Sequence, residues 1–321
     1  MPGEFDLIRR YFRDATRSRP DVLLGIDDDC ALVQVPQDRV LAISSDTLVS
    51  GHHFTPDVDP EALGHKALAV NLSDLAAMGA EPAWASLCLT LPQADEAWLQ
   101  AFMRGFARLA DEYGVQLIGG DTTRGPLGIG VTVQGFVDPA RALRRDGARE
   151  GDLIYVSGTL GDAGLALRVR QGEIPPGGDM RLLDERLDRP QPRVGLGRCL
   201  GTYSRCAIDI SDGLAGDLGH ICRQSRLGAL LELERLPLSA AVRDRVRTSG
   251  DWSLPLSAGD DYELLFTVPA ARQAEFEREA ATWELPVTRI GFMQRGEGVR
   301  LHGAQGAQSD RWMRAYDHFR E

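Results

Sequence analysis

The stretch from Glu61 to Ala80, EALGHKALAVNLSDLAAMGA, constrains the chain more than any other. It is rich in Ala and Leu, has no internal proline, and predicts a helix. Leu63, Ala67, Val70 and Ala77 recur at steps of four and three and so share one face; Asp74 falls on the same stripe. Leu68, Leu72 and Leu75 form a second apolar side, so the helix is expected to be buried nearly all round. A carboxylate in that position needs a paired cation, hydrogen-bond donors or a metal ion to offset its loss of water.

Asp74 has company. The segment VLLGIDDDCALVQV sets three adjacent aspartates, Asp27, Asp28 and Asp29, between apolar residues. Like charges this close call for a solvated turn or a cation. A short strand, Val40 to Ile43, is expected to end in Ser44-Ser45-Asp46-Thr47, and strand ends are where α/β proteins place ligand-binding groups. After a helix expected around Glu96 to Tyr113, another apolar strand runs into Gly119-Gly120-Asp121-Thr122-Thr123, which reads equally as a hairpin-like connection or a phosphate cradle. In the second half, CAIDISDGLAGDLGHI predicts a strand from Cys206 to Ile210, with Asp209 inside it and Ser211 or Asp212 capping the next helix. Gly158, Gly161 and Gly164 precede a further helix, either to permit close packing or to bind an anion at its N-terminus. Asp260, Asp261 and Glu263 stand just ahead of an apolar strand, and the tail RWMRAYDHFRE is rich in aromatic residues.

Seven aspartates thus lie beside Gly, Ser or strand ends: Asp28, Asp29, Asp46, Asp74, Asp121, Asp209 and Asp212. No His/Cys ligand set accompanies them, and all-oxygen ligation selects Mg²⁺, Ca²⁺ or Mn²⁺. Mg²⁺ is usually held by one or two carboxylates together with substrate phosphates and water, so the pattern points to polyphosphate chemistry. The alternative is a set of structural aspartates that accept hydrogen bonds. A net charge of −11 and the lack of a Lys/Arg cluster argue against a nucleic-acid surface, whereas divalent cations would let an acidic protein take an anionic substrate. The five cysteines are scattered and form no C-x-x-C pair, so neither a zinc site nor a disulfide framework is expected. No apolar run reaches membrane-spanning length and the first residues lack a signal peptide's apolar core, so a cytoplasmic location is expected. The 321 residues suffice for two domains, and the charged, turn-rich stretch 138–151 sets the expected boundary: 1–138 and 139–321.

The motifs GEFDLI, GIDDDCALV, ISSDTLVSGHHF, KALAVNLSDLAAMGA, LIGGDTTRGP, AIDISDGLAGDLGHI, DDYELLFTVP and YDHF, in this order and over nearly the whole chain, resemble the thiamine-monophosphate kinase family. Its wider fold group includes aminoimidazole ribonucleotide synthetase, selenophosphate synthetase and a hydrogenase maturation factor. The resemblance implies a two-domain α/β (α+β) fold. The N-terminal sheet domain would bind ATP and Mg²⁺ and form a homodimer; the C-terminal α/β domain would pack against it and complete the site. It implies phosphoryl transfer from ATP to thiamine monophosphate, with several Mg²⁺ ions. Asp29, Ser44, Ser45, Asp46, Asp74, Asp121, Asp209 and Asp212 match metal positions, Ser44 more weakly than the others. Gly120, Asp121, Arg145 and Ser211 match ATP contacts, and His53, Asp260 and Tyr316 match contacts to thiamine phosphate. Asp46, Asp74, Asp121 and Arg145 are the implied catalytic group. Two positions depart from the family pattern: Asp27 stands where Gly is usual, and Asp260 where Glu is frequent. The rival readings are a ring-closing synthetase of the same fold group and a non-catalytic nucleotide or metal sensor.

Overall fold

The computed structural model describes residues 3–303 and Trp312, and the chain divides into two compact units: residues 1–75 with 80–140, and 76–79 with 141–321. The first unit opens with a short helix α1 (Glu4–Leu7) that continues as a π-helical turn (Ile8–Phe12). A hairpin of β1 (Val22–Leu24) and β2 (Leu32–Val33) follows, with the three aspartates in its turn. Then come β3 (Val40–Val49), α2 (Pro60–Ala77), β4 (Glu81–Leu91), α3 (Glu96–Tyr113), β5 (Gln116–Arg124) and β6 (Gly128–Val137). The last four strands form one sheet in the order β3-β6-β4-β5, antiparallel except for the β4–β5 pair.

Helix α2 begins where Asp59 accepts hydrogen bonds from the backbone of Glu61 and Ala62, ahead of Pro60 in the first turn. From Ala62 to Ala77 only Asp74 is not fully buried, so the expectation of burial nearly all round holds. Two glycines let α2 meet α3 backbone to backbone. A Cβ on Gly64 would lie 1.9 Å from the Phe102 carbonyl oxygen, and one on Gly105 would lie 1.8 Å from that of Glu61. Leu68, Leu72, Leu99, Phe102 and Phe106 fill the layer with no exposed surface. Strand β3 is ten residues long, not four, so Ser44 to Thr47 lie within it, not beyond its end. Its polar residues obey the period of two: Ala42, Ser44, Asp46 and Leu48 turn inward, while Leu41, Ile43, Ser45, Thr47 and Val49 are exposed.

The second unit is built on a six-stranded mixed sheet, β12-β9-β11-β7-β10-β8. Its strands are β7 (Leu153–Ser157), β8 (Cys206–Asp209), β9 (Gly228–Glu232), β10 (Leu264–Val268), β11 (Val287–Gln294) and β12 (Gly298–His302). Its helices are α4 (Asp162–Arg170), α5 (Met180–Asp188), α6 (Val194–Leu200), α7 (Leu214–Ser225), α8 (Ala240–Ser249), α9 (Ser253–Ser257) and α10 (Gln273–Ala280). One core of Ile154, Val156, Ile208, Leu218, Leu231 and Leu265 joins sheet to helices. Among the described residues no helix is long and apolar enough to cross a membrane.

The Gly64–Gly105 contact generates a stability prediction. Gly105→Ala forces a methyl group onto a backbone carbonyl, and overpacking of this kind costs about 1–3 kcal/mol. Denaturant unfolding should therefore shift to lower denaturant; an unchanged midpoint would show that the helix pair is not closely packed there.

Candidate active site

The first unit holds a cavity of about 470 Å³, within the range of small-molecule sites. Its lining combines the apolar Ile8, Phe12, Leu117 and Ile118 with Asp27, Asp28 and Asp29 from the hairpin turn and Gly120 and Asp121 from β5. Two sequence-predicted metal positions, Asp29 and Asp121, therefore meet in one pocket together with Gly120. The backbone at Gly120 has φ +147°, and a Cβ there would lie 1.8 Å from the Leu87 carbonyl oxygen. The glycine lets β5 run flush against β4. The Gly-Gly-Asp-Thr-Thr run lies within β5, and β5 and β6 are not neighbours in the sheet, so no hairpin forms here. Asp27 takes φ +101°, a region that disfavours side chains, and its carboxylate pairs with Arg13 Nε at 2.6 Å. That pair ties the π-helical turn, which supplies Phe12 to the pocket wall, to the acidic hairpin.

A second acidic group forms where β3 faces α2. Ser44 Oγ donates to Asp74 Oδ2 at 2.5 Å, and the Asp46 backbone N–H donates to Asn71 Oδ1 at 3.1 Å. Burial first, and then the neighbouring charge of Asp74, push the Asp46 carboxyl up to about 6. Ser45 points to the opposite face and exchanges a hydrogen bond with Thr132 at 2.7 Å. Asp46, Val131, Leu87 and Gly120 lie in one cross-strand row, so Asp46 and Gly120 are three strand spacings apart, about 14 Å. His53, in the turn after β3, accepts a hydrogen bond at Nδ1 from the Val49 backbone.

In the second unit Asp209 ends β8 and is buried. Neither Ser211 nor Asp212 caps α7, contrary to expectation: the helix starts at Leu214 behind Gly213, with no side-chain cap. Instead Asp217 reaches back from the first turn of α7, and its Oδ2 accepts the Asp212 backbone N–H at 3.1 Å. Burial first, then the charges of Asp209 and Asp212, push Asp217 up to about 8; Arg145 works in the opposite sense. Arg145, Asp209, Asp212 and Asp217 thus form one electrostatic group. Asp217 escapes a reading of the sequence because it looks like an ordinary polar residue of an amphipathic helix. Asn71 escapes it too, although it stands inside the same NLSD run as Asp74. Gly158 and Gly161 precede α4, but Gly164 lies in its first turn and serves packing: a Cβ there would lie 2.3 Å from that of Ala258, and the Gly161 N–H donates to buried Asp261 at 2.9 Å. Asp260 lies in the turn before β10, with its N–H bonded to the Ser211 carbonyl at 2.9 Å. Tyr316 lies outside the described residues.

Among the described residues no three His, Cys, Asp or Glu side chains converge tightly enough to hold a metal ion alone. The carboxylates come in small sets with oxygen donors only, and the raised Asp46 carboxyl would be lowered by a cation. That chemistry fits Mg²⁺ completed by phosphate and water better than a closed protein cage.

Residues 27–137 match the AIR synthase related protein, N-terminal domain, and residues 149–303 match the corresponding C-terminal domain. The chain is 48% identical to the thiamine-monophosphate kinase of Escherichia coli K12 over 329 aligned positions, covering 99% of this chain and 98% of that protein. The crystal structure of thiamine-monophosphate kinase from Stenotrophomonas maltophilia K279a superposes with a TM-score of 0.86 at 47% identity, covering 94% of this chain and 96% of that one. AaThiL complexed with AMPPCP and TMP superposes with a TM-score of 0.77 at 33% identity, covering 91% of each chain.

Asp217 yields a pH prediction. Its pKa in the fold lies above the unfolded value of 3.8, so the stability tied to its proton is complete below about pH 4 and is lost as pH rises through about 8. The melting temperature of the metal-free protein should fall between about pH 5 and pH 9, and Asp217→Asn should flatten that slope. An unchanged slope in the variant would place the buried proton elsewhere.

Proposed function

The chain belongs to the thiamine-monophosphate kinase family, and we propose that it transfers the γ-phosphoryl group of ATP to thiamine monophosphate, giving ADP and thiamine diphosphate. The observation that carries this reading is likeness over 91% of the chain, at 33% identity, to a structure whose name gives it an ATP analogue and TMP together. The pocket chemistry agrees with it. Its apolar lining residues suit a base, and its aspartates suit phosphates only if cations lie between.

The attacking group is an oxygen of the substrate's own phosphate. A phosphate monoester has a second pKa of about 6, so it is largely ionised near neutrality and needs no general base. No His or Cys dyad is therefore required. Mg²⁺ ions, held in the first unit by Asp29, Asp46, Asp74 and Asp121 and in the second by Asp209 and Asp212, would supply the positive charge that lets two anions meet; Ser44 is the hydroxyl candidate on the inner face of β3, whereas the Ser45 hydroxyl points to the opposite face. Ser44 orients the Asp74 carboxylate, and Asn71 anchors the backbone at Asp46. Gly120 gives the nucleotide close approach to backbone, Ser211 offers a hydroxyl, and Arg145 adds a permanent cation. His53, Asp260 and Tyr316 are assigned to thiamine monophosphate, with Asp260 matching its cationic thiazolium. Transfer is in line and direct, by positioning and electrostatics.

We also propose a homodimer formed through the outer face of the first sheet, where Leu41, Ile43 and Val49 are exposed on the same face of β3. A cytoplasmic location is proposed from the substrates and from five free cysteines, three of them exposed.

The direct test is ADP release with ATP and Mg²⁺ in the presence of thiamine monophosphate, thiamine or no acceptor. ADP and thiamine diphosphate should form only with the monophosphate; a folded, nucleotide-binding protein that ignores it would refute the reading. Asp74→Asn should retain the fold and lose about 10²-fold in turnover, the scale seen when one transition-state charge contact is removed. Near-normal turnover in that variant would remove Asp74 from the machinery.

A further inference from the structure

The turn that joins α9 to β10 is held in an unusual backbone form. Gly259, Asp260 and Tyr262 have φ of +73°, +60° and +49°, and two of these three residues carry side chains. Non-glycine residues stay in this region only where their surroundings over-determine it, and such places cluster at functional sites. Here the surroundings are explicit. The N–H groups of Asp260 and Tyr262 donate to the carbonyls of Ser211 and Ile210 at 2.9 and 2.8 Å, and the Ile210 N–H donates to the Glu263 carbonyl at 2.9 Å. A Cβ on Gly259 would lie 2.3 Å from the Ser211 carbonyl oxygen.

Below the turn, Glu263 is fully buried and accepts from Arg186 at 2.7 Å, from Arg193 at 2.8 and 2.5 Å, and from Ser157 at 2.5 Å. The two guanidinium groups hold its carboxyl below the usual glutamate value despite burial. Asp261 is also buried and is fixed by the Gly161 N–H. Asp261 and Glu263 are thus anchored within the unit, and Asp260 and Tyr262 flank Asp261 on either side along the chain. The Tyr262 hydroxyl donates to Asp260 Oδ1 at 3.1 Å.

We propose that Tyr262 is a positioning residue for the phosphate acceptor: its hydroxyl fixes the plane of the Asp260 carboxylate that faces the substrate cation, on a turn locked by Glu263, Arg186 and Arg193. The inference rests on the reading above that Asp260 meets thiamine monophosphate. The physical need is specific. A quaternary thiazolium nitrogen carries no hydrogen, so it attracts a carboxylate without orienting it. Orientation must come from the protein, and a buried tyrosine ring with one directed hydroxyl supplies it at little entropic cost. The same turn hydrogen-bonds to Ser211, which links the acceptor side to the residue assigned to ATP.

The test is a double-mutant cycle on Tyr262→Phe and Asp260→Ala, measuring KM for thiamine monophosphate, kcat and nucleotide affinity. Tyr262→Phe keeps the buried ring, so the fold is retained. It should raise KM for thiamine monophosphate about tenfold, the scale of one hydrogen bond to a charged group, with nucleotide affinity unmoved. In the Asp260→Ala background the same change should add nothing. Wild-type KM in Tyr262→Phe, or an undiminished effect in the double variant, overturns the proposal. If Asp260→Ala leaves KM unchanged, the assignment of Asp260 to the substrate fails; a tenfold effect of Tyr262→Phe beside it would put the hydroxyl on the substrate itself and would likewise overturn the positioning role.

Discussion

Burial of carboxylates next to one another is the constraint on which this protein depends. On the inner face of β3, Asp46 feels both burial and the charge of Asp74 across the gap to α2, and its carboxyl rises to about 6. The geometry is not a packing accident. It follows from an all-round buried helix, from two glycines that let that helix sit tightly on its neighbour, and from a strand whose period of two turns Ser44 and Asp46 to the same side. Such an arrangement stores electrostatic stress that a divalent cation relieves.

The chain treats its other carboxylates differently, and the contrast is informative. Glu263 receives two arginines and a serine, and Asp27 receives Arg13. Asp261 receives a backbone N–H at the start of α4, and Asp217 keeps a proton to about pH 8. Those four are compensated within the fold and act as structure. They hold the hairpin turn, the turn before β10 and the Ser211–Gly213 loop in place. Asp46 is the group whose shift has only raising causes, burial and Asp74, and it marks the place where a ligand's charge is expected.

Much of this was legible in the sequence because it rests on local pattern. Glu96–Tyr113 emerges as a helix with the expected ends, and Asp74 sits on the stripe that its spacing dictates. The length of β3 was not legible, since Ser-Ser-Asp-Thr reads as strand end when its pairing with β6 is unknown. The caps expected at Ser211 and Asp212 failed for a tertiary reason: Gly213 takes φ +103° and delays the helix, and a carboxylate from five residues on takes the Asp212 N–H. The left-handed residues Asp260 and Tyr262 are invisible to propensity, because arginines 70 and 77 residues ahead of Glu263 anchor the segment that imposes them. Contacts of such long sequence separation exist only once the chain has folded. The extra aspartate at position 27 is likewise explained only when Arg13 is seen beside it.

These carboxylates are proposed to serve cations, with nucleotide bound through them. The most direct measurement is calorimetric titration of the metal-free protein with a non-hydrolysable ATP analogue, once with Mg²⁺ and once with EDTA. A clear binding isotherm is predicted with Mg²⁺ and at least about a hundredfold weaker binding without it, because bare triphosphate would meet several carboxylates against the single cation of Arg145. Equal affinity in the two titrations would contradict the claim, and would mean that the acidic residues are structural and the nucleotide is held by other groups.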